Sequence, residues 1–210
     1  MIKVLIADDH AIVRSGLKQI LAETSDIVVA GEAADGREAL DKVQTQEFDV
    51  LVLDITMPGR SGLEILKDIK RGKPALPVLV LSMHAEEQFA TRMLRAGAAG
   101  YLNKESAPEE LVKAIRKVYS GGKYVSAAQA ERMVGELHSD STKQPHELLS
   151  DREYEILCLI ASGKTASQIA RELALSVKTV STYRARILEK MNLSTNAQLT
   201  HYAIKGGLVE

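Results

Sequence analysis

Apolar residues recur through the first 120 positions in short unbroken runs: Val4–Ala7, Ile27–Ala30, Val50–Leu53, Val78–Leu81 and, more weakly, Tyr101-Leu102. Runs this short, rich in Val, Ile and Leu, predict strands buried on both faces, as in a parallel sheet. Between them the apolar positions change to helical spacing, with Val13, Leu17 and Leu21 on one face, then Leu63, Leu66 and Ile69, then Leu111, Ile115 and Val118. Five strands alternating with five helices predict an α/β domain built on a doubly wound parallel sheet.

The alternation stops after Ser120-Gly121-Gly122. Ala127 to Leu137 has the composition of a short helix, and Ser139 to Pro145 is polar and turn-rich, the mark of a linker. Ser150-Asp151-Arg152-Glu153 then has the form of a capping box, which predicts a helix from Asp151 through Ile156, Leu157 and Ile160 to Gly163. A second short helix follows from Ala166 to Leu173, and Ser176 caps a third whose apolar positions Val177, Val180, Ile187 and Met191 face inward. Two helices joined by Ala174-Leu175-Ser176 form a helix-turn-helix pattern. The organisation expected is therefore a domain at 1–121, a linker with a short helix at 122–148, and a small all-α domain at 149–210.

Composition allows two modest cores, with 45% hydrophobic residues in 210. No apolar run nears the roughly 20 residues of a membrane span. Met1-Ile2-Lys3-Val4 enters the strand pattern directly, so a cytoplasmic chain without leader or membrane contact is expected. Cys158, the only cysteine, sits in the apolar string Ile156 to Ile160 and reads as a small core residue. The net charge of −1 is uneven: residues 1–121 carry 16 Lys and Arg against 18 Asp and Glu, and residues 150–210 carry 8 against 6. Within Val177 to Met191, Lys178, Arg184, Arg186 and Lys190 face Glu189 alone.

The residues that follow the predicted strands carry the chemistry. Asp8 and Asp9 follow the first, Asp54 the third, Ser82 the fourth and Lys104 the fifth. A lone Asp before Pro58-Gly59 would be a turn residue, but in a parallel sheet all of these gather at the carboxyl edge, where such folds place their sites. Crowded carboxylates repel one another unless a cation lies among them, and oxygen donors suit Mg²⁺, which phosphate oxygens commonly complete. Lys104 and Ser82 would then meet a phosphoryl group, with Asp54 as the attacking oxygen. A flavin or nucleotide domain of the same layered class would need a glycine-rich turn after the first strand. Asp8-Asp9-His10 has no glycine before Gly16.

In Asp8-Asp9, Asp54, Ser82 and Lys104, residues 1 to about 120 resemble a two-component receiver domain, whose fold is flavodoxin-like. The resemblance implies that Asp54 accepts a phosphoryl group from a sensor histidine kinase or histidine phosphotransfer protein. It implies that Asp9, Asp54 and the Thr56 carbonyl bind Mg²⁺ with Asp8 helping through water. It also implies that Ser82 swings toward the phosphate while Tyr101 turns inward. Thr56 and His84 stand where receivers tune loss of the acyl phosphate, and His10 reads as a helix-start residue. Glu105 follows Lys104 where many receivers have proline, which predicts a less rigid loop.

The third C-terminal helix offers Lys178, Thr179, Ser181, Thr182, Arg184, Ala185 and Arg186 outward. Small and hydroxylic residues let a helix approach base edges while Arg and Lys reach phosphates. The motifs Leu149 to Glu153, Ile169 to Leu173, Ser176 to Val180 and Ile187 to Leu193 resemble the four-helix output domain of the NarL/FixJ, or LuxR-type, response regulators. By position, that resemblance assigns Ser181, Thr182 and Ala185 to base edges. It assigns Lys178, Thr179, Tyr183, Arg184 and Arg186 to the backbone of double-stranded DNA. A fourth helix, about Thr195 to Ile204, would form the contact of a homodimer when the protein is phosphorylated.

Overall fold

A computed structural model of the chain describes residues 1–57, 60–82, 87–126 and 144–209. The chain divides into two compact units, with the break near residue 130.

The first unit runs β1 (Ile2–Ala7), α1 (Ala11–Ala22), β2 (Ile27–Ala33), α2 (Gly36–Thr45), β3 (Val50–Asp54), α3 (Gly62–Gly72), β4 (Val78–Ser82), α4 (Glu87–Arg95), β5 (Gly100–Asn103) and α5 (Ala107–Tyr119). All strand pairs are parallel, in the order β2-β1-β3-β4-β5. Each of the five apolar runs is a strand. Val50 to Leu53 and Val78 to Leu81 are wholly buried, as strands covered by helices on both faces must be. Leu17 and Leu21 of α1 and Leu111, Ile115 and Val118 of α5 share one core with Val4, Ile6, Val52 and Leu79 of the sheet. Elsewhere α2 packs on α3, and a Cβ on Gly36 would lie 1.9 Å from Ile65 Cδ1, so any larger residue at that crossing requires the Ile65 side chain to shift.

Register sets the strand ends level. Ala7 pairs with Leu53, Asp54 with Leu81, and Ser82 with Asn103. The chain leaves β1 toward β2 on one side and lies beside β3 on the other, which opens a crevice at the carboxyl ends of β1 and β3. After α5 the chain returns along β5. Tyr124 N–H donates to the Ala99 carbonyl at 3.0 Å, and the Tyr124 carbonyl accepts from Tyr101 N–H at 3.0 Å. An edge strand that would otherwise expose its backbone is thus covered by residues beyond position 121.

The second unit begins with a 3₁₀ turn at Pro145–Leu148 and continues with α6 (Asp151–Ala161), α7 (Ala166–Glu172), α8 (Val177–Lys190) and α9 (Asn196–Lys205). Ser150 with Glu153, Thr165 with Gln168, and Thr195 with Gln198 each form a capping box. Ser176 caps α8 by accepting from Thr179 N–H at 3.0 Å. Between α7 and α8, Ala174 takes a left-handed φ of 51° while Leu175 N–H bonds back to the Ala170 carbonyl at 2.8 Å, which closes the turn tightly. Val180, Ile187 and Met191 are buried as the pattern requires, together with Ile156, Leu157, Ile169, Leu199 and Cys158.

Val177 departs from the expectation: it is 48% exposed. At 100° per residue it lies within about 40° of Ser181, so the first position of α8 belongs to the outward stripe with Ser181 and Ala185 rather than to the core. The helix predicted at Ala127 to Leu137 and the tuning position His84 lie outside the described residues. Among the described residues no helix is long and apolar enough to cross a membrane.

Candidate acidic site and nucleic-acid interface

The crevice gathers the charged residues that follow the strands. Asp8 continues β1, Asp54 ends β3, Ser82 ends β4 and Lys104 follows β5; Asp8, Asp54 and Ser82 are fully buried. Lys104 Nζ lies 2.7 Å from Asp8 Oδ2 and 2.7 Å from Asp54 Oδ2, and Lys104 N–H donates to the Ser82 carbonyl at 2.8 Å. The other Asp54 oxygen, Oδ1, accepts from Thr56 N–H at 2.9 Å and from the Thr56 hydroxyl at 2.8 Å. Burial pushes the Asp54 carboxyl above its ordinary range, with Asp8 adding to the rise and Lys104 opposing it. Burial alone would lower the Lys104 ammonium, but Asp54 and Asp8 outweigh it and hold the group above its usual value.

One ammonium among three carboxylates leaves negative charge in excess. Asp8, Asp9, His10 and Asp54 each bring a donor atom within 4.8 Å of the others. Asp8 Oδ2 and Asp9 Oδ1 are buried without a partner in hydrogen-bond geometry, although Lys104 and His10 stand at ion-pair distance from them. The carboxylates supply hard oxygen donors with free lone pairs, which fits a divalent cation such as Mg²⁺. His10 is the N-cap residue of α1, but its side chain makes no cap; the ring is 61% exposed, with Nδ1 2.9 Å from Asp9 Oδ1.

Tyr101 is buried, at 4% exposure. The loop after Lys104 has a trans peptide, as no described residue is cis, and Asn103 braces it: its Oδ1 accepts from Glu105 N–H at 3.0 Å and its carbonyl from Ser106 N–H at 3.1 Å. Sequence reasoning passed over Arg14 and Glu32. Arg14 Nη1 donates to the Asp8 carbonyl at 2.6 Å, and its Nε faces Glu32 Oε2 at 3.4 Å. The signal available was the spacing: a cation in the first turns of the helix that follows the acidic pair reaches back over it.

In the second unit, α8 presents Lys178, Ser181, Thr182, Ala185 and Arg186 exposed, with Thr179, Tyr183 and Arg184 half-buried. Ser181 and Thr182 each donate their hydroxyl to the carbonyl four residues back, both at 3.0 Å, leaving oxygen lone pairs outward. Arg184 Nε is held by Asn196 Oδ1 at 2.5 Å. Two contacts fix the helix in place. Buried Arg152 donates from Nη2 to the Leu173 carbonyl at 3.0 Å, bracing the turn, and Lys190 Nζ meets buried Glu153 at 2.6 Å.

A layered parallel sheet with an acidic carboxyl edge, joined to a helix-turn-helix unit with a basic outward helix, defines a receiver coupled to a DNA-binding output. Comparison with known proteins agrees. Residues 4–116 match the response regulator receiver domain, and residues 147–203 match the bacterial regulatory proteins of the luxR family. The chain is 40% identical over 209 residues to the response regulator UvrY of Escherichia coli (strain K12), covering 99% of this chain and 96% of that protein. It is 39% identical over 210 residues to the response regulator GacA of Pseudomonas protegens, covering 100% and 99%. Among solved structures, the RcsB response regulator of Salmonella typhimurium aligns with a TM-score of 0.68 at 28% identity, covering 97% of each chain. An RcsB–DNA complex aligns at 0.60 and 29% identity, covering 96% of each. The chain belongs to the two-component response regulators of the NarL/FixJ type, with a LuxR-type DNA-binding domain.

Proposed function

We propose that Asp54 is the phosphoacceptor and that its phosphorylation controls dimerisation and promoter binding through α8. The observation that carries the reading is the single ammonium of Lys104 held 2.7 Å from both Asp8 and Asp54, at the carboxyl edge where a parallel sheet sites its chemistry. An Asp54 oxygen attacks the phosphorus of a phosphohistidine on a sensor kinase or phosphotransfer protein; the P–N bond breaks and the imidazole leaves with a proton. Lys104 passes from the carboxylate to the phosphoryl oxygens, and the Ser82 hydroxyl donates to one of them. Asp8, Asp9, Asp54 and the Thr56 carbonyl would hold Mg²⁺, which when bound neutralises charge on the phosphoryl oxygens. The chain modifies itself and loses the phosphate slowly; it does not turn over a small molecule.

On DNA, Ser181, Thr182 and Ala185 face base edges, while Lys178, Thr179, Tyr183, Arg184 and Arg186 meet the backbone. Ile204 of α9, 54% exposed, supports that helix as the contact between two copies bound to two half-sites. The protein acts in the cytoplasm. The test is promoter affinity with and without acetyl phosphate. The wild type gains affinity on phosphorylation and Asp54→Asn does not; an equal gain in both would overturn the assignment.

A further inference from the structure

We propose that Arg14 is a positioning residue for the acidic site: it orients the Asp8–Asp9 pair for divalent-cation binding, and Glu32 on β2 aims it. The proposal rests on the reading of Asp8, Asp9 and Asp54 as cation ligands.

Arg14 lies in α1, where its backbone N–H donates to the His10 carbonyl at 3.1 Å, so its side chain starts directly over the β1–α1 loop. The side chain is 17% exposed and reaches the loop, with Nη1 2.6 Å from the Asp8 carbonyl. That carbonyl belongs to the peptide joining Asp8 to Asp9. A charge-assisted bond to it sets the plane of that peptide and, with it, the direction in which each carboxylate leaves the chain. His10 N–H donates to Asp8 Oδ1 at 2.8 Å, which fixes Asp8 from the other side. With those two restraints Asp8 Oδ2 and Asp9 Oδ1 stay buried side by side at the crevice, beside Lys104 Nζ at 2.7 Å and His10 Nδ1 at 2.9 Å respectively, although their like charges drive them apart.

Glu32 supplies the aim. Its carboxylate meets Arg14 Nε at 3.4 Å and Lys18 Nζ at 2.7 Å, and Lys42 Nζ donates to its backbone carbonyl. Lys18 beside it, with help from Arg14, holds Glu32 below the usual carboxylate range, so it stays anionic at neutral pH. The guanidinium fork therefore has one arm on a fixed anion and the other on the metal-site peptide. Lysine, with one ammonium, cannot hold both in a plane.

The test is isothermal titration of the full chain with Mg²⁺, alongside the thermal midpoint in EDTA. Arg14→Ala weakens Mg²⁺ about tenfold, the lower end of what loss of an outer-shell partner costs a metal site. Arg14→Lys and Glu32→Gln show smaller losses, and the Arg14→Ala/Glu32→Gln pair is no weaker than Arg14→Ala, because Glu32 acts only through Arg14. At saturating Mg²⁺ the rate of phosphorylation by acetyl phosphate returns to the wild-type value, since only the metal affinity was lost. A role confined to joining α1 and β2 would lower the EDTA midpoint and leave the Mg²⁺ affinity within twofold of wild type, and that result overturns the proposal. Should Arg14→Ala fail to fold, an unchanged Mg²⁺ affinity in Glu32→Gln overturns it equally. Wild-type protein that binds no Mg²⁺ would reject the underlying ligand reading, an outcome distinct from wild-type binding that Arg14 does not affect.

Discussion

Glu153 joins the start of α6 to the end of α8, and replacing it with glutamine isolates one charge. Its Oε2 accepts from Ser150 N–H at 2.7 Å and from Lys190 Nζ at 2.6 Å. Glutamine keeps the capping box, as Gln168 and Gln198 do at the equivalent positions of α7 and α9. What is lost is the ion pair. Breaking a fully buried pair costs about 3–5 kcal/mol and an exposed one about 0–1 kcal/mol. Here the carboxylate is buried but the Lys190 side chain is 41% exposed and can return to water, so the cost is about 1–2 kcal/mol. For a unit of this size that lowers the midpoint of its calorimetric transition by about 5–10 °C. Burial alone would raise the Glu153 carboxyl, but Lys190 and the Ser150 N–H outweigh it and hold it below the ordinary glutamate value. A depressed native pKa contributes stability above the unfolded value and loses it as pH falls through the folded one. The gap between wild type and Glu153→Gln, full at pH 7, therefore closes on acidification through the carboxylate range. Equal midpoints at pH 7, or a gap that persists unchanged in acid, would refute the charge-pair argument.

Other substitutions probe neighbouring steps. Ala174→Gly relieves a left-handed alanine in the helix-turn-helix turn and raises stability by up to about 1 kcal/mol in denaturant unfolding; a loss would show that the turn needs the methyl group. Val177→Ala shifts stability by less than about 0.5 kcal/mol while Val180→Ala costs about 2 kcal/mol, a contrast that disappears if Val177 is a core residue. Lys178→Ala weakens binding to all duplexes alike and lowers the salt slope by about 1, whereas Thr182→Ala changes which sequence is preferred. A sequence-selective effect of Lys178→Ala would contradict its placement on the backbone.

Much of this was legible because buried parallel strands write themselves as unbroken apolar runs. Val50 to Leu53 and Val78 to Leu81 could hardly be anything else, and once they were aligned Asp54 and Ser82 had to share an edge. Two helix starts were equally plain, since Ser150 and Ser176 cap through local hydrogen bonds to residues three positions on, whereas the boxes at Thr165 and Thr195 emerge only in the structure. Long-range geometry left no such trace. Arg14 meets Glu32 across 18 positions and the Asp8 carbonyl through a side chain that periodicity counts only as polar. Tyr124 pairs with β5 through its backbone, which no side-chain pattern encodes. Val177 was misjudged because apolar character was taken for burial, although the first turn of a helix has no preceding turn to fix which face it shares.

The most direct measurement is the intact mass of the full chain after incubation with acetyl phosphate and Mg²⁺, under conditions that preserve an acyl phosphate. The account predicts a gain of one phosphoryl group in the wild type, absent when Mg²⁺ is chelated and absent in Asp54→Asn. An unshifted wild-type mass, or the same gain in Asp54→Asn, would contradict it.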